Sequence, residues 1–316
     1  MPGASDDSQL LWFDRQGRQL GPVDQPTVQT GIALSPDSKR VAVTRLTHGV
    51  DSIWLLETAG GGSTRFTPNR GGTGFPVWSP DGGRIAFTAT LGVNRDPSVA
   101  QDAAIYQKPS SGAGMEELLV NAPFARSEDW SSDGRLLAYT AFEAGEQKTR
   151  LDLWLLALDQ DRKPVPFIHG PASESSGRFS PGDDWMAYVS DETGRAEVYV
   201  QRVPDLLTGS RVAQERTVKQ QVSVNGGQHP CWRPDGLELF YIAADGKLMA
   251  VQVNIGSAFA ATPPHAVFQA RIPALATPRL YAVSANGQRF LINTQVNQTP
   301  TASVIALVHW QAGINR

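Results

Sequence analysis

A short stretch that occurs six times limits this chain to one class of fold. Its clearest copy is FPVWSPDGGRIAFTA, residues 75–89. Residues 75–78 suit an extended strand, and Ser79-Pro80-Asp81-Gly82 has the composition of a tight turn. Proline presets φ, glycine accepts the left-handed conformation, and the serine and aspartate side chains can hydrogen-bond nearby backbone amides. Because β-branched and aromatic residues follow the turn, the stretch predicts a β-hairpin.

The copies follow one another along almost the whole chain. The first turn residues are Ser35, Ser79, Ser131, Ser180, Arg233 and Ser284, at intervals of roughly 50 residues. Further short apolar runs follow each hairpin, such as residues 53–56 and 153–156. Four strands in about 50 residues are typical of one propeller blade. The sequence therefore predicts an all-β fold, a six-bladed β-propeller of four-stranded antiparallel blades, with residues 9–316 as a single domain.

The two ends of the chain are predicted to meet in the sixth blade. Residues 1–8 are polar and are predicted to be a disordered or artificially added tail. Residues 10–23 form a predicted hairpin ahead of the first repeat. The last repeat ends with the apolar run 303–310 and lacks a fourth strand. We therefore expect the N-terminal hairpin to complete that blade and close the ring, which removes two sheet edges. The sequence leaves open which of its strands pairs with the C-terminal run.

Composition and charge argue against several classes of function. The formal net charge is −3 and there is no polybasic segment, so no nucleic-acid partner is predicted. No apolar run is long enough to insert into a membrane. The N-terminus lacks the pattern of a signal peptide, which leaves either a cytoplasmic protein or a piece of a longer chain.

The residues that most often carry chemistry are sparse. The single cysteine, Cys231, excludes an intramolecular disulfide and, beside Trp232, is predicted to be a small buried hydrophobe. The five histidines lack metal-ligand spacing, so neither a metal nor a cofactor is predicted. Neither a G-x-S-x-G motif nor a phosphate-binding glycine loop is present, and no catalytic residue is assigned.

The long connections of the predicted blades fall on one side of the disc. We call the side of the first-to-second strand turns the turn face, and the side of the second-to-third loops and blade-to-blade segments the loop face. The turns are short and uniform, so the turn face is expected to be structural. The loop face receives most of the long, dissimilar connections: residues 91–102, 143–150, 191–195 and 296–301. Residues 204–216 form a further polar loop. Because binding residues concentrate on such loops, the functional surface is predicted on the loop face.

The blade-to-blade segments supply the candidate site residues. They lead into the innermost strands around the central channel and contain Arg70, Phe75, Arg126, Glu128, Glu174, Arg178, Gln228, His229, Arg279 and Tyr281. Convergent polar groups at a concave mouth favour a binding site. The alternative is that they hydrogen-bond one another and channel water, and that His229 is a structural histidine.

Two other recurring sets are predicted to be structural. The turn aspartates Asp37, Asp81, Asp133 and Asp235 are expected to cap their own turns. The tryptophans recur in phase and are expected to form core between blades rather than a stacking platform: Trp78, Trp130 and Trp232 on first strands, and Trp54 and Trp154 on third strands.

The repeat resembles that of a known family. The pattern xPxWSPDGxxIAF, followed by a short hydrophobic strand, resembles the TolB-type β-propeller repeat over nearly the whole chain. LLWFDRQGR, RFSPGDDWMAYVSDETGRAEVYVQ, GGQHPCWRPDGLELFY and VIALVHW more closely resemble propeller regions C-terminal to bacterial serine/threonine kinases. That resemblance implies a sensor region outside a membrane, joined to a kinase domain through a membrane helix. The chain departs from the family's turn pattern at Ser38, Gly182-Asp183 and Ala285-Asn286, which puts those turn geometries in question.

Two functions fit these observations. The first is a non-enzymatic binding or sensor module, a monomer that recognises a protein, peptide or small ligand on the loop face at the central channel. TolB itself binds protein partners, which supports this function by analogy. The alternative is an enzyme, a lyase or hydrolase, with its site at the channel mouth, since similar propellers precede the hydrolase domain of prolyl oligopeptidase-like enzymes. A purely structural role as a scaffold is the third hypothesis.

Overall fold

Six antiparallel sheets form the fold, in the order that the repeat predicts. The computed structural model describes residues 7–68, 72–90, 102–142, 150–159, 162–204, 219–256, 258–272 and 279–296. Within these residues every regular element is a β-strand. The prediction of an all-β, six-bladed propeller is confirmed.

The strands, numbered along the chain, divide among the blades as follows. The N-terminal hairpin is β1 (Ser8–Asp14) and β2 (Gln19–Pro22). Blade one is β3 (Gln29–Leu34), β4 (Arg40–Thr47), β5 (Val50–Glu57) and β6 (Ser63–Arg65). Blade two is β7 (Thr73–Trp78), β8 (Arg84–Thr90), β9 (Asp102–Pro109) and β10 (Glu117–Pro123). Blade three is β11 (Arg126–Trp130), β12 (Leu136–Ala141), β13 (Asp152–Ala157) and β14 (Pro164–Ile168).

The remaining blades follow the same plan with two variations. Blade four is β15 (Glu174–Phe179), β16 (Trp185–Ser190), β17 (Glu197–Arg202) and β18 (Lys219–Gln221). Blade five is β19 (Gly227–Trp232), β20 (Glu238–Ala243), β21 (Lys247–Ile255), β22 (Phe259–Ala261) and β23 (His265–Gln269). Its fourth position is shared, because β22 and β23 pair with opposite halves of β21. Blade six contains β24 (Tyr281–Val283) and β25 (Arg289–Gln295), and the N-terminal hairpin provides its two outer strands.

Ring closure uses the N-terminal hairpin, as predicted, and the structure settles its register. β1 pairs antiparallel with the whole of β25, from Ser8 opposite Gln295 to Asp14 opposite Arg289, and β2 lies outside it. The hairpin therefore supplies the third strand as well as the fourth, where the sequence predicted residues 303–310 as the third. That run lies outside the described residues. β1 begins at Ser8, which is buried.

The six turns on the turn face share one geometry. The hydroxyls of Ser35, Ser79 and Ser131 donate to Asp37, Asp81 and Asp133 at 2.5–2.6 Å. Each aspartate, and Asp235 in blade five, also accepts the backbone N–H two residues later. The predicted capping role of these aspartates is confirmed.

The departures from the repeat preserve that geometry. The fourth turn residue is left-handed in all six blades, and it is Ser38 (φ 59°) in blade one and Asp183 (φ 65°) in blade four rather than glycine. Both side chains bond to the preceding blade. Ser38 Oγ accepts the Ala285 amide at 3.0 Å, and Asp183 accepts the Ser132 amide and hydroxyl, both at 2.7 Å. A rarely occupied backbone conformation is therefore accompanied by hydrogen bonds between neighbouring blades.

The apolar core lies between adjacent blades, where the predicted tryptophans contribute. Trp78, Trp130 and Trp232 are 6–9% exposed. Trp78 Nε1 donates to the Ala33 carbonyl of blade one at 2.8 Å, and Trp232 Nε1 donates to the Arg178 carbonyl of blade four at 3.0 Å. Trp54 and Trp154 pack on the core while half-buried. Each innermost strand contacts the next around the ring, including β24 with β3.

Most of the predicted long connections lie outside the described residues. This applies to residues 91–101, 143–149, 205–216 and 297–301, whereas the connection 191–195 is described. In the part of the chain that is described, no helix has the length and hydropathy needed to cross a membrane.

Candidate functional site

The first residues of the innermost strands surround the channel, and several adopt unusual backbone conformations. Strands β3, β7, β11, β15 and β19 each contain a register shift against the second strand of the blade. Phe75, Ser176 and His229, at one equivalent repeat position, are left-handed with φ of 54°, 58° and 55°. Arg279 is left-handed as well, with φ 66°. Non-glycine residues reach this region at a cost of about 1–3 kcal/mol each and often mark functional sites.

Neighbouring blades hold these residues in place. Three of their carbonyl oxygens accept a hydrogen bond from the next blade around the ring: Phe75 from Ser127 Oγ at 2.5 Å, His229 from the Tyr281 hydroxyl at 2.9 Å, and Arg279 from the Ile32 amide at 3.0 Å. The strained backbone is therefore determined by the packing of one blade on another, which the sequence of a single repeat does not contain.

Charged side chains connect neighbouring blades at the channel, and one of them reaches the opposite blade. Arg178 of blade four donates to the Glu128 carbonyl of blade three at 2.7 Å and lies 3.3 Å from the Glu128 carboxylate. Arg279, which leads into blade six, reaches across the ring to the same carbonyl and to Asp129 Oδ1 at 3.2 Å. Asp129 Oδ2 also accepts the Phe179 amide at 3.0 Å. We call this network the cross-channel cluster (Glu128, Asp129, Arg178 and Arg279).

Burial sets the direction of the pKa shifts of the ionisable groups in and beside the cluster, and the charge of Arg178 also acts on them. Burial, with the charge of Arg178, lowers the pKa of His229 to about 4, so the imidazole is neutral at pH 7. Burial and the same guanidinium lower the pKa of Arg279 to about 10. Burial raises the pKa of the Cys231 thiol and that of Tyr281. His229 Nδ1 is among the buried polar atoms of the described residues that have no hydrogen-bond partner.

An aromatic–cation pair flanks the cluster at the loop face. The Arg126 guanidinium lies over the Phe75 ring, 5.1 Å from its centroid. Both side chains are half-buried, and Ser127 fixes the Phe75 backbone from the next blade. Because the pair is both rigid and partly exposed, it can contact a partner without further ordering.

Glu174 lies in a different environment from the arginines. It is 3% exposed, its Oε1 accepts the Ser190 hydroxyl at 3.0 Å, and its Oε2 is buried without a hydrogen-bond partner. Burial raises the pKa of Glu174 to about 7, to which the negative charges of Asp152, Asp191 and Glu192 contribute. This carboxyl is therefore largely protonated below neutral pH, within the sheet of blade four.

The predicted site residues thus separate into distinct groups. The structure brings together Glu128, Arg178, His229, Arg279 and Tyr281 at the channel, pairs Phe75 with Arg126, and places Glu174 apart. Gln228 is exposed, and Arg70 lies outside the described residues. Sequence reasoning missed Asp129. At its repeat position, two before the first turn residue, the other blades have Ala33, Val77, Arg178, Cys231 and Ala282. A charge in a mostly small or apolar column was the signal that could have identified it.

The described residues contain no group of three or more histidine, cysteine, aspartate or glutamate side chains arranged to hold a metal ion. The channel does contain a cavity of about 380 Å³, which borders Arg178, His229 and Arg279.

Comparison with other sequences gives limited information. No family model matches the chain. An uncharacterized protein of Agrobacterium fabrum, Atu1656, is 25% identical over 252 residues, which cover 77% of this chain and 76% of that protein.

Solved structures share the architecture at low identity. A protein of Agrobacterium tumefaciens provisionally assigned as TolB superposes with a TM-score of 0.66 at 18% identity, over 92% of this chain and 98% of that one. TolB from Acinetobacter baumannii gives 0.56 at 14% identity, over 92% of this chain and 64% of that one. An oligogalacturonate lyase in complex with manganese also gives 0.56, at 12% identity, over 84% of this chain and 73% of that one. Since these neighbours include both a lyase and TolB proteins, the similarity leaves the activity open and identifies the fold. The chain has a six-bladed β-propeller fold that superposes on the solved TolB structures.

Proposed function

We propose that the chain is a non-enzymatic recognition module that binds a protein or peptide on the loop face, at the mouth of the central channel. The observation that carries this proposal is the Phe75–Arg126 pair, half-exposed and fixed by a left-handed backbone and the Ser127 hydroxyl. Aromatic and arginine side chains in rigid surroundings dominate the binding energy of protein interfaces.

The cross-channel cluster supports docking at the mouth rather than threading through the ring. Arg279 and Asp129 connect opposite blades, and Arg178 is buried with three bonds from its Nη1. Moving these groups apart would leave buried charges without partners, which is costly. The surface at the mouth is therefore already ordered, and little conformational entropy of this chain is lost when a partner binds.

The wider biological setting is proposed on the sequence resemblance and the TolB neighbours. In this setting the chain is a monomeric sensor propeller, linked to a kinase domain and located outside the membrane. Sequencing of the adjacent coding region tests the kinase link, since a kinase domain and a membrane segment upstream are expected. Size-exclusion chromatography with light scattering tests the monomer.

Peptide selection with matched variants tests the recognition site. Displayed peptides are selected on the immobilised chain and their affinities measured by calorimetry. Arg126→Gln is expected to weaken the affinity for the selected peptides by about 10-fold or more, because a side chain that anchors an interface contributes about 2 kcal/mol to binding. Replacing residues 91–102 by a short turn is also expected to weaken binding while sparing the fold.

The control is Arg135→Gln, which changes an arginine of the same blade at the turn face, where Arg135 pairs with Asp159 at 2.8 Å. This variant is expected to change the affinities by less than about twofold. A loop-face site would be refuted if the selected peptides bound the Arg126→Gln chain and the chain with residues 91–102 replaced as tightly as the parent chain, with unchanged melting temperatures.

The alternative of a lyase or hydrolase remains a separate proposal, favoured by the structural similarity to oligogalacturonate lyase. Incubation with oligogalacturonate and Mn²⁺, followed by the absorbance of unsaturated products, tests the lyase. Chromogenic peptide substrates test the hydrolase. If the parent chain turned over a substrate, and Arg279→Gln abolished this turnover at an unchanged melting temperature, an enzymatic function would replace the recognition proposal.

A further inference from the structure

The channel cavity opens on the turn face, for which the sequence predicted a purely structural role. Its lining includes residues from all six innermost strands, and it extends to the turn prolines Pro36, Pro80, Pro181 and Pro234. These prolines directly follow the first turn residue of their repeats, so they surround the mouth on the turn face. A volume of about 380 Å³ lies at the lower end of the range for small-molecule sites.

The cavity wall is aromatic at one repeat position. Trp78, Trp130, Phe179 and Trp232 line it, and Leu34 has the equivalent position in blade one. The indole N–H groups of three of these residues are already bonded to backbone carbonyls, at 2.8–3.0 Å. Because these four side chains are 6–9% exposed, the wall offers small areas of aromatic surface, without unsatisfied donors, against which a flat apolar ring can pack.

The floor of the cavity is polar and positively biased. Arg178, Arg279 and Asp129 line it, whereas the Glu128 carboxylate is directed to Thr140 and Arg178. Burial lowers the pKa values of both His229 and Arg279, and the charge of Arg178 lowers them further, whereas Asp129 and Glu128 act in the opposite direction on Arg279. An added negative charge would relieve the repulsion between the two guanidinium groups.

We propose that this turn-face cavity binds a small aromatic carboxylate, with its ring against the tryptophans and its carboxylate at Arg178 and Arg279. Arginine and carboxylate form strong charge-assisted hydrogen bonds, and the aromatic wall excludes water from the pair. This cavity opens on the face opposite to the proposed recognition surface. The two proposals are therefore independent, and each can fail without the other.

Calorimetric titration of the full chain with indole-3-acetate, and with the neutral indole-3-acetamide as its matched analogue, provides the test. The acid is expected to bind at least about 10-fold more tightly than the amide, because a hydrogen bond between arginine and a carboxylate is stronger than one between arginine and a neutral amide. Arg279→Gln is expected to remove this preference, whereas the loop-face variant Arg126→Gln is expected to retain it.

A second variant fills the cavity without disturbing the fold. Leu34→Trp places tryptophan at a position where three other blades already have it, so the variant is expected to fold and to lose binding of the acid. Three results would each overturn the proposal: no saturable binding up to millimolar acid, equal affinities for acid and amide, or full affinity in the folded Leu34→Trp chain. Loss of peptide binding in Arg126→Gln with intact acid binding would separate this site from the recognition surface.

Discussion

The two ends of the innermost strands behave differently, although both belong to the same repeat. At the turn face, six turns share one backbone geometry despite changes such as Ser38 and Asp183 in place of glycine. At the loop face, equivalent positions carry a phenylalanine, a serine and a histidine in the left-handed conformation, and the charged groups differ from blade to blade. The turns depend mainly on bonds within four or five residues, with added bonds to the preceding blade at Ser38 and Asp183, whereas the blade-to-blade segments depend on their neighbours around the ring.

This contrast indicates where a repeat protein can vary. A turn held by its own serine and aspartate keeps its shape in any blade, so its sequence recurs. A segment held by the next blade can carry a different side chain in each copy, provided that its neighbour fits it. The site residues therefore lie where the repeat is least regular, apart from the turn-face cavity, whose aromatic wall comes from the most regular positions.

The largest expected effect concerns the shared framework. Trp78→Ala is expected to lower the free energy of unfolding by about 3–5 kcal/mol, because it removes a buried indole and its bond to the Ala33 carbonyl. Urea denaturation measures the change. Trp54→Ala is the control, with a smaller expected loss because that ring is half-buried. Equal losses in the two variants would show that the first-strand position is not special.

The next effect concerns a blade-to-blade residue. Because the folded-state pKa of Glu174 is raised to about 7 from an ordinary value of 4.5, the folded chain favours the protonated carboxyl. Its contribution to stability is fully present below about pH 4.5 and is lost as the pH rises through about 7. We expect a loss of about 2 kcal/mol between pH 5 and pH 8 from this group, after allowance for partial solvent screening.

Comparison with Glu174→Gln isolates this carboxyl from other groups. His229, whose pKa is lowered to about 4, acts in the opposite direction and loses stability as the pH falls from about 6.5 to 4. Urea denaturation of both chains at pH 5 and pH 8 is expected to show a smaller decline in the variant. Parallel pH dependences would mean that Glu174 titrates normally.

The smallest effects test the two turns whose fourth residue is not glycine. Asp183→Gly restores the repeat residue but removes hydrogen bonds to the Ser132 amide and hydroxyl and to the Asp133 amide. We expect a loss of about 1 kcal/mol in the free energy of unfolding. Ser38→Gly removes one such bond, to the Ala285 amide, while relieving the left-handed strain, so its change should stay within about 0.5 kcal/mol. Stabilisation of both variants by glycine would contradict the role of these bonds between blades.

Much of the fold could be predicted because its determinants are local and repeated. The SPDG turn, the alternating strands around it and the in-phase tryptophans each follow from a few consecutive residues, and six copies make the pattern unambiguous. The prediction of the closing blade was less complete. Two apolar segments at opposite ends of the chain, residues 8–14 and 303–310, were candidates to pair with β25. The spacing of the repeat carries no information about that choice.

From the sequence alone, the all-β class, the number of blades, the turn geometry and most of the residues near the channel could be predicted, because periodicity and turn chemistry act over short distances. Which of those residues meet depends on how the blades pack. Arg279 reaches Asp129 across the ring, Phe75 stacks under Arg126, and Glu174 remains apart from Arg178 although only four positions separate them. Ring closure brings together residues about 150 positions apart, and the fields and strains that set their chemistry exist only once the blades are packed.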